Sequence, residues 1–202
     1  MQSTFQITMS ISIDDVSIGK LGLKLYRGAF PIGVENFCQL CQGSTFKITN
    51  YNTNHTNNSN TYQVRDVTQR SYTNSVFYTM VHNAYVLGGD IYNNDGSNAG
   101  TVYDDQPFEY HDAVSELPRD QVGLLALVPY YLDDESNSKI KRPFYDSTFS
   151  ITLQPHVLPR DSIPIGFVDD DRDGVLKCIN DRIQPGVNKT MPKIKVDKIT
   201  MM

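Results

Sequence analysis

The chain has 202 residues, with 23 acidic against 18 basic side chains and a net charge of -5. That length supports one domain with a full core, and an acidic chain with scattered basic residues excludes an electrostatic nucleic-acid binder. No run approaches the ~20 apolar residues of a membrane span, and three cysteines are too few for a disulfide framework.

Ile7 to Ile13 alternates apolar and polar residues and predicts a strand. Asp14-Asp15 predicts a turn, and Ile18 to Tyr26 alternates again as its hairpin partner. Phe30-Pro31 opens a predicted helix through Glu35, Phe37 and Leu40 that stops at Gly43. Proline fits a first helical turn and glycine a C-terminal cap. Cys38 and Cys41 fall on one face of that helix. With only Cys178 remaining, they read as packed thiols rather than half of a metal or redox site.

Ser44 to Ser75 is crowded with Asn, Thr, Ser and Tyr and predicts an inserted polar loop, with a short strand at Thr61 to Val67. Such an insertion is either tolerated surface sequence or an arm against another subunit. In the second case Tyr51, Tyr62 and Tyr72 would supply contact area, a homo-oligomer is expected, and the segment should not pack tightly into its own monomer.

The rest of the chain is organised around Phe77 to Asp90. That stretch predicts a strand, a short break and a second strand running into a glycine turn. Gly88 and Gly89 allow positive φ or close backbone approach. Gln121 to Val128 predicts a buried strand, and Asp133 to Pro143 a second polar insertion with a solvated Lys139-Ile140-Lys141-Arg142 cluster. Ser162 to Val168 predicts a strand, Asp173 to Ile183 a helix, and Lys193 to Ile199 a closing strand.

Asp169, Asp171 and Asp173, followed by Gly174, have the spacing of acids in a calcium loop. The position that calls for a bidentate Glu is Asn180, and a strand precedes the loop instead of a helix. An acidic turn leading into a helix N-terminus accounts for the run. His55, His82, His111 and His156 are isolated. No metal and no cofactor is expected. Many short alternating strands with only two helical segments predict a barrel or sandwich.

The register of Phe77 to Asp90 resembles the signature segment of the cyclophilins, the prolyl isomerases. There the family carries Phe-His-Arg, two apolar residues, Pro-Gly-Phe-Met, two more residues and Gly-Gly-Asp. Phe77 and Gly88-Gly89-Asp90 match without a gap, and Gly96 and Tyr103 prolong the match. Glu35-Asn36-Phe37 resembles a triplet in the family's first helix. Asp146-Ser147-Thr148-Phe149-Ser150-Ile151 resembles its Gly-Ser-Gln-Phe-Phe-Ile. The resemblance implies an all-β fold with two helices: a closed eight-stranded antiparallel barrel capped by helices. It covers a single domain, 1–202, with polar insertions at about 44–75 and 133–143.

The same resemblance locates the family's chemistry. Prolyl isomerisation has a barrier of ~18–20 kcal/mol. An Arg lowers it by donating to the twisted amide while an apolar pocket holds the proline ring. Here Thr79 takes the position of that Arg. Ala84 and Tyr85 replace a pocket Phe and Met, and Leu87 a nearby Gln. Pro129 lies near the Asn that meets the peptide backbone, and Thr148 replaces a second Gln. Phe149 is kept, while Ser150 replaces the second pocket Phe. Val157 falls at about the position of a Trp, Leu158 keeps the pocket Leu, and Ser162 stands at about the His.

Residues tied to the fold are kept and those of the groove are replaced. The resemblance therefore implies a binding or structural protein with a degenerate groove, lacking efficient isomerase activity and engaging a protein or peptide partner. The alternative is a working isomerase with a rebuilt groove, assisting protein folding. The Asn, Tyr and Ile content resembles coding in AT-rich genomes and, with the divergence, a giant-DNA-virus cyclophilin. That implies the host cytoplasm or the virion. Met1 to Phe5 has no basic start and no apolar run, so no signal peptide and no secretion are expected.

Overall fold

The fold is a computed structural model that describes residues 6–26, 28, 30–43, 45–50, 63–110, 117–131, 142–183 and 191–202. Residues 44 and 51–62 of the first predicted insertion, Tyr51 and Tyr62 among them, lie outside the described residues, as do 133–141 of the second.

The chain opens with the predicted hairpin, β1 (Gln6–Ile13) and β2 (Val16–Leu25). Asp14 and Asp15 both take positive φ at its tip, 50° and 64°, as a tight hairpin turn requires. Helix α1 (Pro31–Gln42) has proline in its first turn and ends on Gly43 in the left-handed conformation. Cys38 and Cys41 are buried on it and are not joined in a disulfide. A separate hairpin pairs β3 (Thr45–Asn50) with β4 (Gln63–Gln69). There follow β5 (Val76–Phe77), β6 (Thr79–Val81), β7 (Tyr85–Gly88), β8 (Phe108–Glu109), β9 (Leu124–Leu127) and β10 (Tyr130–Tyr131). The last elements are β11 (Pro143–Tyr145), β12 (Phe149–Thr152), β13 (Ile163–Asp170), α2 (Val175–Arg182) and β14 (Ile194–Met201).

The main sheet has nine strands in the order β5-β14-β1-β2-β13-β9-β12-β7-β6. The expected count was eight. The extra strand arises because Val76–Val81 is broken at Tyr78: β5 pairs with β14 on one side and β6 with β7 on the other. Because β5 and β6 are one chain segment, the two ends of the sheet meet there. The Tyr78 N–H donates to Leu87 O at 3.0 Å across that junction. The result is a nearly closed antiparallel barrel with few free edges. Register shifts in β1 and β13 bend the strands as closure demands.

Ile7, Met9 and Ile11 of β1 and Leu21 and Leu23 of β2 point into one core, which Phe37 and Leu40 of α1 cover. The C-terminal end of the first predicted insertion belongs to this core, which corrects, for residues 70–75, the expectation that the segment does not pack tightly into its own monomer. Tyr72 is fully buried and is not available as contact area for another subunit. Its ring packs on Phe37 and Phe149, and its hydroxyl donates to Ser147 O at 2.8 Å. Arg70 and Ser75 are buried as well. A polar composition hid Tyr72 and Arg70 because each is held by a partner distant in sequence, whereas the Ser75 hydroxyl donates to Tyr72 O only 3 residues away.

The glycine pair ends β7 as expected. Gly89 has φ +104°, and a Cβ there would lie 2.1 Å from Ser147 O, so no other residue fits. Asp90 follows, buried, and its carboxylate organises the next loop. One oxygen accepts from the N–H groups of Tyr92 and Asn93 at 2.9 and 2.8 Å, the other from Asp95 and Gly96 at 3.1 and 2.9 Å. Burial alone would raise its pKa, but the backbone donors outweigh burial and hold it at about 2. A carboxyl depressed in the folded state stabilises above its unfolded pKa, near 4, and loses that contribution as pH falls towards 2. The stability difference between wild type and Asp90→Asn, read from urea titrations, should be large at pH 7 and shrink towards pH 2. An equal difference at both values would show that the carboxylate charge does not hold this loop.

Candidate functional site

The strand register brings three of the positions implied by the resemblance into one row. Thr79 of β6 sits opposite Leu87 of β7, and Leu87 sits opposite Ser150 of β12, which in turn faces Ala126 of β9. Ala84 lies in the turn between β6 and β7, where its carbonyl accepts from the Leu153 N–H at 2.6 Å. Tyr85 begins β7, opposite Val81 and Thr152. Val157, Leu158 and Ser162 lie on the connection from β12 to β13, the first two half-buried and the last fully buried.

Phe149 differs from the expectation. Side chains alternate along a strand, so Phe149 and Ser150 point to opposite faces of β12. Phe149 packs edge-on against Phe37, Tyr72 and Phe77 in the core. It is a structural residue, and Ser150 takes the face towards Leu87. The hydroxyls of Ser150 and Ser162 are both buried without a hydrogen-bond partner among the described residues. At the two positions where the resemblance implies a ring and, at about Ser162, an imidazole, the hydroxyls are a poor floor for a proline ring.

Beside the row opens a cleft of about 460 Å³. Leu87, Pro129 and Thr148 line it, three of the predicted groove positions. Tyr78, the Gly96–Ala99 loop held by Asp90, Val128, Tyr130 and Asp146 complete the wall. Sequence reasoning passed over Asp146, although the signal was present: an acid stands where the resembling segment has Gly. Asp146 is 7% exposed. Its Oδ1 accepts from the Thr148 N–H at 2.7 Å. The buried Asn36 amide donates to its backbone carbonyl at 3.3 Å, while the Asn36 oxygen accepts from Val102 N–H at 2.9 Å. The helix triplet Glu35-Asn36-Phe37 thus has a physical role: Asn36 ties the backbone at Asp146 and at Val102 to α1. Burial pushes the Asp146 carboxyl above the usual range, against the Thr148 hydrogen bonds. Burial also raises Tyr78 and Tyr130, with Asp146 adding to both.

The three acids with calcium-loop spacing serve separate partners. Asp169 pairs with Lys24 at 3.7 Å, and Asp173 accepts from Lys20 N–H at 2.9 Å. Asp171 accepts from Val175 and Leu176 N–H at 2.6 and 3.2 Å, closing the free donors of the first turn of α2. Among the described residues no cluster of His, Cys, Asp or Glu is placed to hold a metal. No helix among them is long and apolar enough to cross a membrane.

A nearly closed barrel with two helices and a groove between β6, β7, β12 and β9 defines a class, and the comparisons agree. The family of cyclophilin type peptidyl-prolyl cis-trans isomerases/CLD matches residues 8–157. The chain belongs to the cyclophilin-type peptidyl-prolyl cis-trans isomerase family. It is 38% identical over 200 residues to a structural PPIase-like protein of Acanthamoeba polyphaga mimivirus, covering 96% of this chain and 80% of that one. The crystal structure of the mimivirus cyclophilin superposes with a TM-score of 0.74 at 35% identity, covering 98% of this chain and 89% of that one. A probable inactive peptidyl-prolyl cis-trans isomerase-like 6 protein of Bos taurus is 29% identical over 123 residues, 60% of this chain and 34% of that one.

Proposed function

We propose that this chain binds a protein or peptide partner in its groove without efficient prolyl isomerisation, and that its role is structural. The observation that carries this reading is the row Thr79–Leu87–Ser150. It presents a short neutral hydroxyl, an apolar side chain and a second hydroxyl where isomerisation needs a charged donor and a ring pocket. Loss of one preorganised donor costs ~2.7–4 kcal/mol of transition-state stabilisation, and a Thr side chain cannot reach where an Arg reaches. Among the described residues, none of those lining the cleft is a Lys or an Arg. The names carried by two relatives, one structural and one probable inactive, support the reading. A virion location belongs to the same proposal.

The test is the cis-to-trans relaxation of a proline-containing peptide, followed by NMR exchange. The expected rate with added protein equals the uncatalysed rate. Thr79→Arg alone should recover little, because the ring pocket is also absent. A rate rising in proportion to protein concentration would overturn the proposal in favour of a working isomerase with a rebuilt groove.

A further inference from the structure

We infer that the cleft bounded by Tyr78, Tyr130 and Asp146 takes a cationic side chain, a lysine ammonium or an arginine guanidinium, from the bound peptide. Asp146 is then the residue that sets specificity. This rests on the reading of the groove as a peptide-binding surface and adds which peptides it selects.

The cleft's size suits one long side chain, at about 460 Å³. Asp146 is 93% buried by its 7% exposure, lines the cleft, and forms no ion pair among the described residues. Its hydrogen bonds come from Thr148, whose amide holds Oδ1 at 2.7 Å. A carboxylate so placed is costly unless a positive charge joins it. The two tyrosines add rings whose faces attract cations. Burial raises the carboxyl of Asp146, the physical mark of an acid without its counter-charge.

The alternatives fit worse. An anionic group would meet Asp146 head on. An apolar side chain would cover the carboxylate and leave it unpaired. The position of Asp146 is rigid, since Asn36 holds its backbone to α1, so little reorganisation is needed when the cation enters.

The experiment titrates four peptides, acetyl-Ala-X-Gly-Ala-amide with X as Lys, Arg, norleucine or Glu, into the isotopically labelled full chain and follows its amide resonances. The Lys or Arg peptide should bind about tenfold more tightly than the norleucine peptide, as a buried charge pair implies. The Glu peptide should bind most weakly. The larger effect between Lys and Arg identifies the preferred cation. Asp146→Asn keeps an acceptor for Thr148 N–H and should bring the cationic preference below about twofold. Should that variant not fold, the wild-type shifts decide: those caused by the cationic peptide must centre on Asp146, Thr148 and Tyr130. Equal binding of all four peptides, a preference that survives Asp146→Asn, or shifts centred elsewhere would overturn this inference and leave the peptide-binding reading standing. Failure of every peptide to bind would overturn both.

Discussion

Phe149→Ala is expected to destabilise the protein by about 4 kcal/mol, the range of a buried ring truncated in a packed core. Phe149 is fully buried and joins three elements: Phe37 on α1, Tyr72 before β5, and Phe77 on β5, with ring centroids 5.5, 5.1 and 5.8 Å away. Neighbouring side chains cannot close such a space, because each ring is itself fixed from another side. A melting temperature lower by roughly 10 °C is the expected readout for a domain of this size. Ser150→Ala, one residue on, should change stability little, since its buried hydroxyl has no described partner to lose. A small loss for Phe149→Ala with a large one for Ser150→Ala would reverse the two faces assigned to β12.

Asp105→Ala is expected to cost roughly 3–5 kcal/mol, the penalty for stranding a buried charge. Arg70 is 3% exposed, and both terminal nitrogens of its guanidinium donate to the Asp105 carboxylate. One of them also reaches Thr101 O at 3.3 Å, and the Tyr92 ring lies 4.8 Å from the guanidinium carbon. Removing Asp105 leaves a guanidinium that is 3% exposed in the wild type without its counter-charge. The double variant Arg70→Met with Asp105→Ala should regain much of the loss, because no charge is then left behind. Urea denaturation of the two singles and the double measures this. A loss below about 1 kcal/mol for Asp105→Ala would mean that the pair is open to solvent.

Together these residues show what anchors the cleft. The 91–105 loop is tied at one end by Asp90 and at the other by Arg70 through Asp105. The ordered cleft wall at Gly96–Ala99 lies between the two ties. A lesion at either anchor should therefore weaken peptide binding as well as stability, whereas Asp146→Asn acts on selectivity.

What the sequence alone determined is local and periodic. Alternation marked β1, β2 and β14, proline and glycine marked the ends of α1, and the Gly88-Gly89-Asp90 register pointed to the family. These signals are legible because each arises within a few residues of itself, from strand period, helix capping or the φ a turn demands. The spacing of Thr79 from Phe77 was equally legible. Tertiary structure decided the rest. Tyr72 and Arg70 sit in polar sequence, yet they are buried because their partners, Ser147, Phe149 and Asp105, come from 35 or more residues away. Phe149 looked like a groove residue until the pairing of β12 with β7 and β9 set which face it takes. Asp146 became a candidate for cation recognition only when closure of the barrel buried it beside Tyr78 and Tyr130. Burial and pairing across the barrel depend on contacts between distant segments, and no window of sequence carries them.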